Sequence, residues 1–244
     1  MGDILNYLIW PFLALLLIVA VVIGILRKRR RLRELEGLAG RLGLRYTRAG
    51  GSGIHEKFGH FPCFVRGQRW RMSNTFRGEV TIAGRRCRVQ MGDYRYREGD
   101  AESRGPTREF SYLVMQQPCG LTPDLGIRET GLLDVLAEVV GSEDIDFESA
   151  AFSRRFHVSC ASRSFAYAVI TPPMMEHMLA RAPRYMSSGR CWWLCYEGEG
   201  LWNAARFERH FRWTLGFFER WPAYLLEEYG PPPARLAGFL AGEV

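Results

Sequence analysis

The spacing of apolar side chains changes several times along this chain, and each change predicts a different element. From Leu8 to Leu26 the run "LIWPFLALLLIVAVVIGIL" carries no charge and no strongly polar side chain. Its nineteen residues, wound as a helix at about 1.5 Å each, match a bilayer hydrocarbon core of about 30 Å. A helix satisfies its own backbone groups, which makes it the natural spanning element. Pro11 stands near the start of the run, where a missing N–H costs little, and Tyr7 and Trp10 lie near one end, where interfacial aromatics are found.

Beyond Leu26 the pattern becomes amphipathic. Leu32, Leu35, Leu38, Ala39 and Leu42 recur at helical spacing and Gly43 can close the helix, which can run on directly from the apolar stretch with an Arg-rich neck between. Residues 44–63 read as irregular and glycine-rich. "VTIAGRR" leading into "CRVQM" (87–91) predicts a hairpin, and "REFSYLVMQQ" (108–117) a further strand. "GLLDVLAEVVG" (131–141) predicts a helix with Leu132, Val135, Leu136, Val139 and Val140 on one face. Residues 154–171 read as two strands around a polar turn, and "RCWWLCYE" (190–197) as another strand. Thr171 and Pro172 predict the cap and first position of a short helix. Residues 203–221 predict a longer one, with Ala204, Phe207, Phe211, Leu215 and Phe218 in a stripe that Trp213, Phe217 and Trp221 widen. Runs of strands broken by single helices, without a βαβ period, imply an α+β fold with a mainly antiparallel sheet. The expected layout is a transmembrane anchor and basic run at 1–31, an α+β domain at 32–221 and a tail at 222–244.

Charge fixes the expected orientation. A cleaved signal peptide carries its cations before the apolar stretch and small residues after it. Here Asp3 precedes the run, and Arg27, Lys28, Arg29, Arg30, Arg31 and Arg33 follow it. The positive-inside rule therefore predicts a retained single-pass anchor, with the N-terminus outside and the domain in the cytoplasm. Those six cations and Asp3 account for +5 of the formal +7, so the chain from residue 34 onward carries only +2. The basic balance thus reflects topology and contact of Arg27, Lys28, Arg29, Arg30 and Arg31 with anionic lipid headgroups, and it disfavours a nucleic-acid partner.

Six cysteines in a chain long enough to bury a core without staples read as reduced, buried thiols. Cys191 and Cys195 are spaced Cys-x-x-x-Cys, which on a strand separates them by about 13 Å, too far for one metal or a disulfide. "HEKFGH" (55–60) misses the His-Glu-x-x-His spacing by one residue, and its glycine-rich flanks argue against a helix there. The chain carries no Gly-x-Ser-x-Gly, no phosphate-binding Gly-x-x-x-x-Gly-Lys and no Gly-x-Gly-x-x-Gly. No catalytic, metal or cofactor set is assigned. Two segments stand out. In "RGQRWRMSN" (66–74), Arg66, Arg69 and Arg71 surround Trp70, a set suited to an anionic ligand or headgroup. In "DIDFESAAFSRRFHV" (144–158), Asp144, Asp146 and Glu148 alternate and so share one face of an extended chain. They could bind a divalent cation, but pairing with Arg154 and Arg155 is the favoured reading.

That second segment, with "TPPMMEHML" downstream and "GDYRYR" upstream, resembles a family of membrane-anchored bacterial proteins built on a domain of unknown function. The resemblance implies a shared fold over about residues 35–220 and an address in the bacterial inner (cytoplasmic) membrane; it brings no catalytic residues. The expected function is a membrane-tethered, non-catalytic binding or scaffold module that holds a protein partner or ligand at the inner leaflet. The alternative is a membrane-bound enzyme, metal-assisted through Asp144, Asp146 and Glu148.

Overall fold

The computed structural model describes residues 2–51, 53–99, 105–131 and 144–232; for residues 2–9 and 11 only the helical backbone is described. The expected helix at 131–141 falls outside the described residues but for Gly131. The chain opens with one continuous helix, α1 (Gly2–Leu42). Gly43, at φ +66°, ends it: the Leu44 amide reaches back to the Ala39 carbonyl at 3.0 Å, the six-to-one bond of a glycine-closed helix terminus. The amphipathic stripe falls as its spacing predicts, with Leu35, Leu38 and Ala39 buried against the domain.

The strands are β1 (Arg45–Ala49), β2 (Gln68–Ile82), β3 (Arg85–Arg97), β4 (Thr107–Gln116), β5 (Leu125–Glu129), β6 (Phe156–Cys160), β7 (Tyr185–Gly189) and β8 (Trp192–Tyr196). They form one sheet in the order β1-β2-β3-β4-β8-β7-β5-β6, each strand antiparallel to its neighbours. The β2–β3 hairpin turns on Ala83 and Gly84, both at positive φ, the conformation a two-residue hairpin requires.

Alternation along the strands divides the buried side chains between the two faces. Cys87, Val89 and Met91 of β3, Leu113 and Met115 of β4, and Trp193 and Cys195 of β8 join the main core. That core is closed by α1, α3 (Ala150–Arg155), α4 (Arg163–Val169), α5 (Pro172–Arg181), α6 (Ala204–Glu219) and α7 (Ala223–Glu228). Tyr94 and Tyr96, Phe110, Tyr112 and Val114, and Trp192, Leu194 and Tyr196 point the other way. They pack beneath the segment that holds α2 (Ile54–Phe58) and a tight turn at Pro62–Phe64.

Several expectations change. Residues 163–169 form α4 rather than a second strand: the Ser162 hydroxyl accepts from the Phe165 amide, and Phe165, Ala166 and Val169 turn one face inward at helical spacing. His55 lies on α2, a helix the flanking glycines argued against. The tail begins as a packed helix, with Leu225 buried and the Arg85 guanidinium donating to the Leu226 and Gly230 carbonyls.

The expected spanning helix is not found at full length among the described residues, where no helix is long and apolar enough to cross a membrane. The described side chains of α1 from Phe12 to Leu26 carry no charge. They do not pack on the domain: Phe12, Leu17, Ile18, Val21 and Leu26 are each more than half exposed.

His60 lies in the second layer, its ring centroid 4.2 Å from that of Phe61 and its Nε2 buried without a hydrogen-bond partner. Burial, assisted by the Arg190 charge, pushes its pKa down to about 4 from 6.5. Between those values the unfolded chain binds a proton that the folded chain refuses, so this residue's contribution is intact above pH 6.5 and is lost as pH falls toward 4. His60→Phe is expected to shrink the fall in Tm across that window relative to wild type. Parallel Tm profiles for the two chains would show that His60 carries none of the dependence.

Candidate functional site

The basic neck of α1 is uniform in sequence and divided in space. Arg31 lies four residues before Leu35 and seven before Leu38, on the stripe that faces the domain. Its Nη1 and Nη2 donate to Asp93 Oδ2 and Oδ1 at 2.8 and 2.9 Å, a two-pronged pair. Its Nε and Nη2 also donate to the Trp202 carbonyl at 3.0 and 2.6 Å.

Asp93 points to the helix side of β3 with its side chain 4% exposed. A buried carboxylate is costly unless its oxygens are filled, and here they are. Asn74 Nδ2 donates to Oδ2 at 2.7 Å and the Ser111 hydroxyl to Oδ1 at 2.6 Å. Each donor is itself held, Asn74 by the Tyr46 hydroxyl at 2.8 Å and Ser111 by the Trp202 amide at 2.8 Å. Burial, then the nearby Glu36 charge, pushes the Tyr46 phenol up to about 12, so it stays a donor at any physiological pH. Asn74, at φ +50°, sits in a break of register between Ser73 and Phe76. The extra residue reverses the alternation: Met72 joins the aromatic layer, whereas Phe76, also even-numbered, joins the main core.

Between this neck and the ends of β2 and β3 lies a groove of about 610 Å³, lined by Arg27, Lys28, Arg31, Leu32, Arg48, Arg71, Ser73, Asn74, Asp93, Tyr94, Arg95, Glu109 and Leu201. Arg31 is matched by Asp93, Arg95 by Glu109, and Arg48 by Glu36 at 2.7 Å. Arg27, Lys28 and Arg71 have no carboxylate partner among the described residues. A shallower hollow of about 380 Å³ adjoins it, lined by Arg69, Trp70, Arg71, Arg95, Tyr96, Arg97 and Thr107.

The expected sites are distributed as follows. Arg27, Lys28, Arg29 and Arg30 are exposed. Arg31 is half-buried and engaged with Asp93, so it is not directed at a membrane surface as the sequence suggested. Arg71 lines both cavities and Arg69 and Trp70 only the shallower one. Arg66 lines neither, and its carbonyl accepts from Trp70 Nε1 at 2.8 Å. Sequence reasoning missed Asp93 and Arg95, which stand in "GDYRYR". The available signal was an acid at an inward position of a strand whose other inward residues are apolar.

Asp144, Asp146 and Glu148 do alternate outward, with Ile145 and Phe147 buried between them. They pair with neither Arg154 nor Arg155. Asp144 accepts from the Val158 amide at 3.0 Å and lies 2.6 Å from His157 Nδ1, while Arg155 pairs with Glu129 at 3.3 Å. Among the described residues no group of three or more His, Cys, Asp or Glu is placed to hold a metal. All six cysteines are free and buried. Burial raises the pKa of each, to about 12 for Cys87, Cys119 and Cys195, which leaves them protonated and unreactive. Glu197 pairs with Arg206 at 2.7 Å and with buried His210 at 3.2 Å. Burial works to raise the Glu197 carboxyl, but His210 and Arg206 outweigh it and hold it below its ordinary value.

No protein-family model matches the chain, and no match is found among curated proteins. Among solved structures the chain is similar to the crystal structure of the mycobacterial trehalose monomycolate transport factor A, TtfA, at 16% identity and a TM-score of 0.53, covering 84% of this chain and 99% of that one. At that identity the likeness is one of fold.

Removing one partner from a buried ion pair leaves the other uncompensated, at a cost of about 3 kcal/mol. Asp93→Ala is therefore expected to lower the Tm of the folded chain by about 6–12 °C, and loss of the four-fifths-exposed Arg30, the residue before Arg31 on the neck, by almost nothing in Arg30→Ala. Equal, small shifts in a thermal melt would deny Asp93 this role.

Proposed function

We propose that this chain is a membrane-tethered binding module whose α+β domain is held against the inner leaflet by α1. The observation that carries the reading is the order of side chains on one unbroken helix. An apolar stretch that packs on nothing in the domain leads directly into four exposed cations, and these into a clamp on the sheet. Apolar side chains exposed in that number call for an apolar surrounding. The cations that follow suit an anionic lipid surface, each contributing about 1 kcal/mol of attraction. The positive-inside bias assigns the domain to the cytoplasmic side. The fold likeness to a protein titled a trehalose monomycolate transport factor agrees with a lipid-associated role.

The wild-type chain is expected to stay with membranes through high-salt and alkaline washes. Ile18→Arg combined with Val22→Arg, each costing about 3 kcal/mol inside a bilayer, is expected to shift it to the soluble fraction. A cysteine introduced at exposed Glu228 should react with an impermeant reagent only after the cells are opened. Release of the wild-type chain by salt alone would sink the tether. A soluble, sedimenting oligomer would instead mean that copies of the chain cover the apolar stretch for one another.

A further inference from the structure

We propose that the groove between the neck of α1 and the ends of β2 and β3 binds a phosphate oxyanion, with Arg27, Lys28 and Arg71 as the cations that hold it. The first ground is charge. Six cations line this groove against two carboxylates, and the partners described above account for Arg31, Arg48 and Arg95. Three cations are left facing one concave surface. Low-dielectric walls concentrate such a field and favour an anion there over bulk water.

The second ground is the backbone that presents them. Arg71 of β2 stands directly opposite Arg95 of β3, and like charges paired across strands are unfavourable. The register breaks on both sides of this pairing, between Gln68 and Arg71 and between Ser73 and Phe76. Arg69 and Asn74 lie in those breaks at φ +55° and +50°, the left-handed region that non-glycine residues seldom adopt. Glu109 offsets the charge of Arg95 but Arg71 has no such partner among the described residues, and left-handed residues in the breaks on either side of it are poor choices for stability alone. They are the expected cost of a strand shaped to aim side chains at a ligand.

The third ground is composition. Ser73 and Asn74 add short polar side chains beside the cations, while Leu32 and Leu201 give the groove an apolar wall. A ligand with an oxyanion and a short apolar portion satisfies both. Arginine's planar fork matches two phosphate oxygens at once, and lysine supplies a compact point charge. Two sources carry this chemistry, a lipid phosphate reached from the bilayer side and free phosphate in solution. The lipid source rests on the tether proposed above; the oxyanion chemistry does not.

The test uses the full chain in neutral maltoside micelles, so it does not depend on insertion into a bilayer. Tm is followed against inorganic phosphate, against short-chain phosphatidylglycerol, and against the diacylglycerol of the same chain length, which lacks the phosphate. A Tm that rises with phosphatidylglycerol alone assigns the site to a lipid phosphate, and one that rises with both phosphate-bearing probes extends it to the free ion. In either case Arg71→Ala and Lys28→Ala should each weaken apparent affinity about tenfold, the loss of one charge-assisted contact. Arg86→Ala removes the same charge from a residue 84% exposed at the hairpin tip and should change nothing. The proposal is overturned by a flat response to both phosphate-bearing probes, by an equal response to diacylglycerol, or by equal losses in Arg71→Ala and Arg86→Ala. Such a failure leaves the membrane tether untouched, since that is read from fractionation and topology.

Discussion

One buried carboxylate organises this molecule. Asp93 cannot be removed from water on β3 without donors for both oxygens, and its donors arrive from α1, β2 and β4. Those donors are fixed in turn by β1, through Tyr46, and by the Trp202 loop, which receives Arg31 on its carbonyl and gives its amide to Ser111. A single charge therefore ties the neck helix, four strands of the sheet and a loop into one network. Networks of this kind are high-stakes: fully satisfied, they fix a unique arrangement, and half satisfied they cost more than an apolar core. Here the arrangement they fix is the direction in which α1 leaves the domain.

The same network explains the shape of the groove. Asn74 reaches Asp93 because the chain inserts an extra residue before Phe76. Without that insertion the alternation of β2 would run unbroken, and Phe76 could not share the main core while Met72 lies in the aromatic layer. The break lets β2 serve the core with one half and the groove with the other. Arg71 and Ser73 then stand on the side of Asp93, facing the neck.

Much of the framework was legible in the sequence because it depends on local spacing. The Leu35, Leu38 and Ala39 stripe, the Ala83–Gly84 hairpin, the Pro172 helix and the aromatic stripe of α6 each rest on residues within a few turns of one another. Residues 163–169 were misread because Phe165, Tyr167 and Val169 also alternate, and the Ser162 cap that decides for a helix is one hydroxyl. The groove was hard to read for a different reason. Arg31 looks like its neighbours in "RKRRRLR", and what separates it is a partner 62 residues away and a carbonyl 171 residues away. Its place on the apolar stripe, four before Leu35, was the one local sign that this cation turns inward. The segment around Trp70 drew attention by its density of arginine, yet Arg71, the one of its arginines that reaches the groove, is distinguished from Arg66 and Arg69 by the strand register and not by its type.

Geometry along α1 bears on what a tether of this form can do. From Leu26, the last residue of the apolar stretch, to Arg31 is five residues, about 7.5 Å of helix. That is within the about 8–10 Å over which charges are felt at physiological salt. No glycine or proline interrupts the helix between Leu26 and Leu35, so the joint is neither a hinge nor a flexible linker. A flexible linker would hold the domain near a surface and leave its orientation free. A continuous helix clamped at Arg31 fixes both distance and direction, so the groove would open at a set height beneath the end of the apolar stretch. On the two proposals above, cations on the neck would act twice, Arg29 and Arg30 toward a surface and Arg27 and Lys28 at the groove they line, and a ligand entering from that surface would meet its counter-charges before it met the domain.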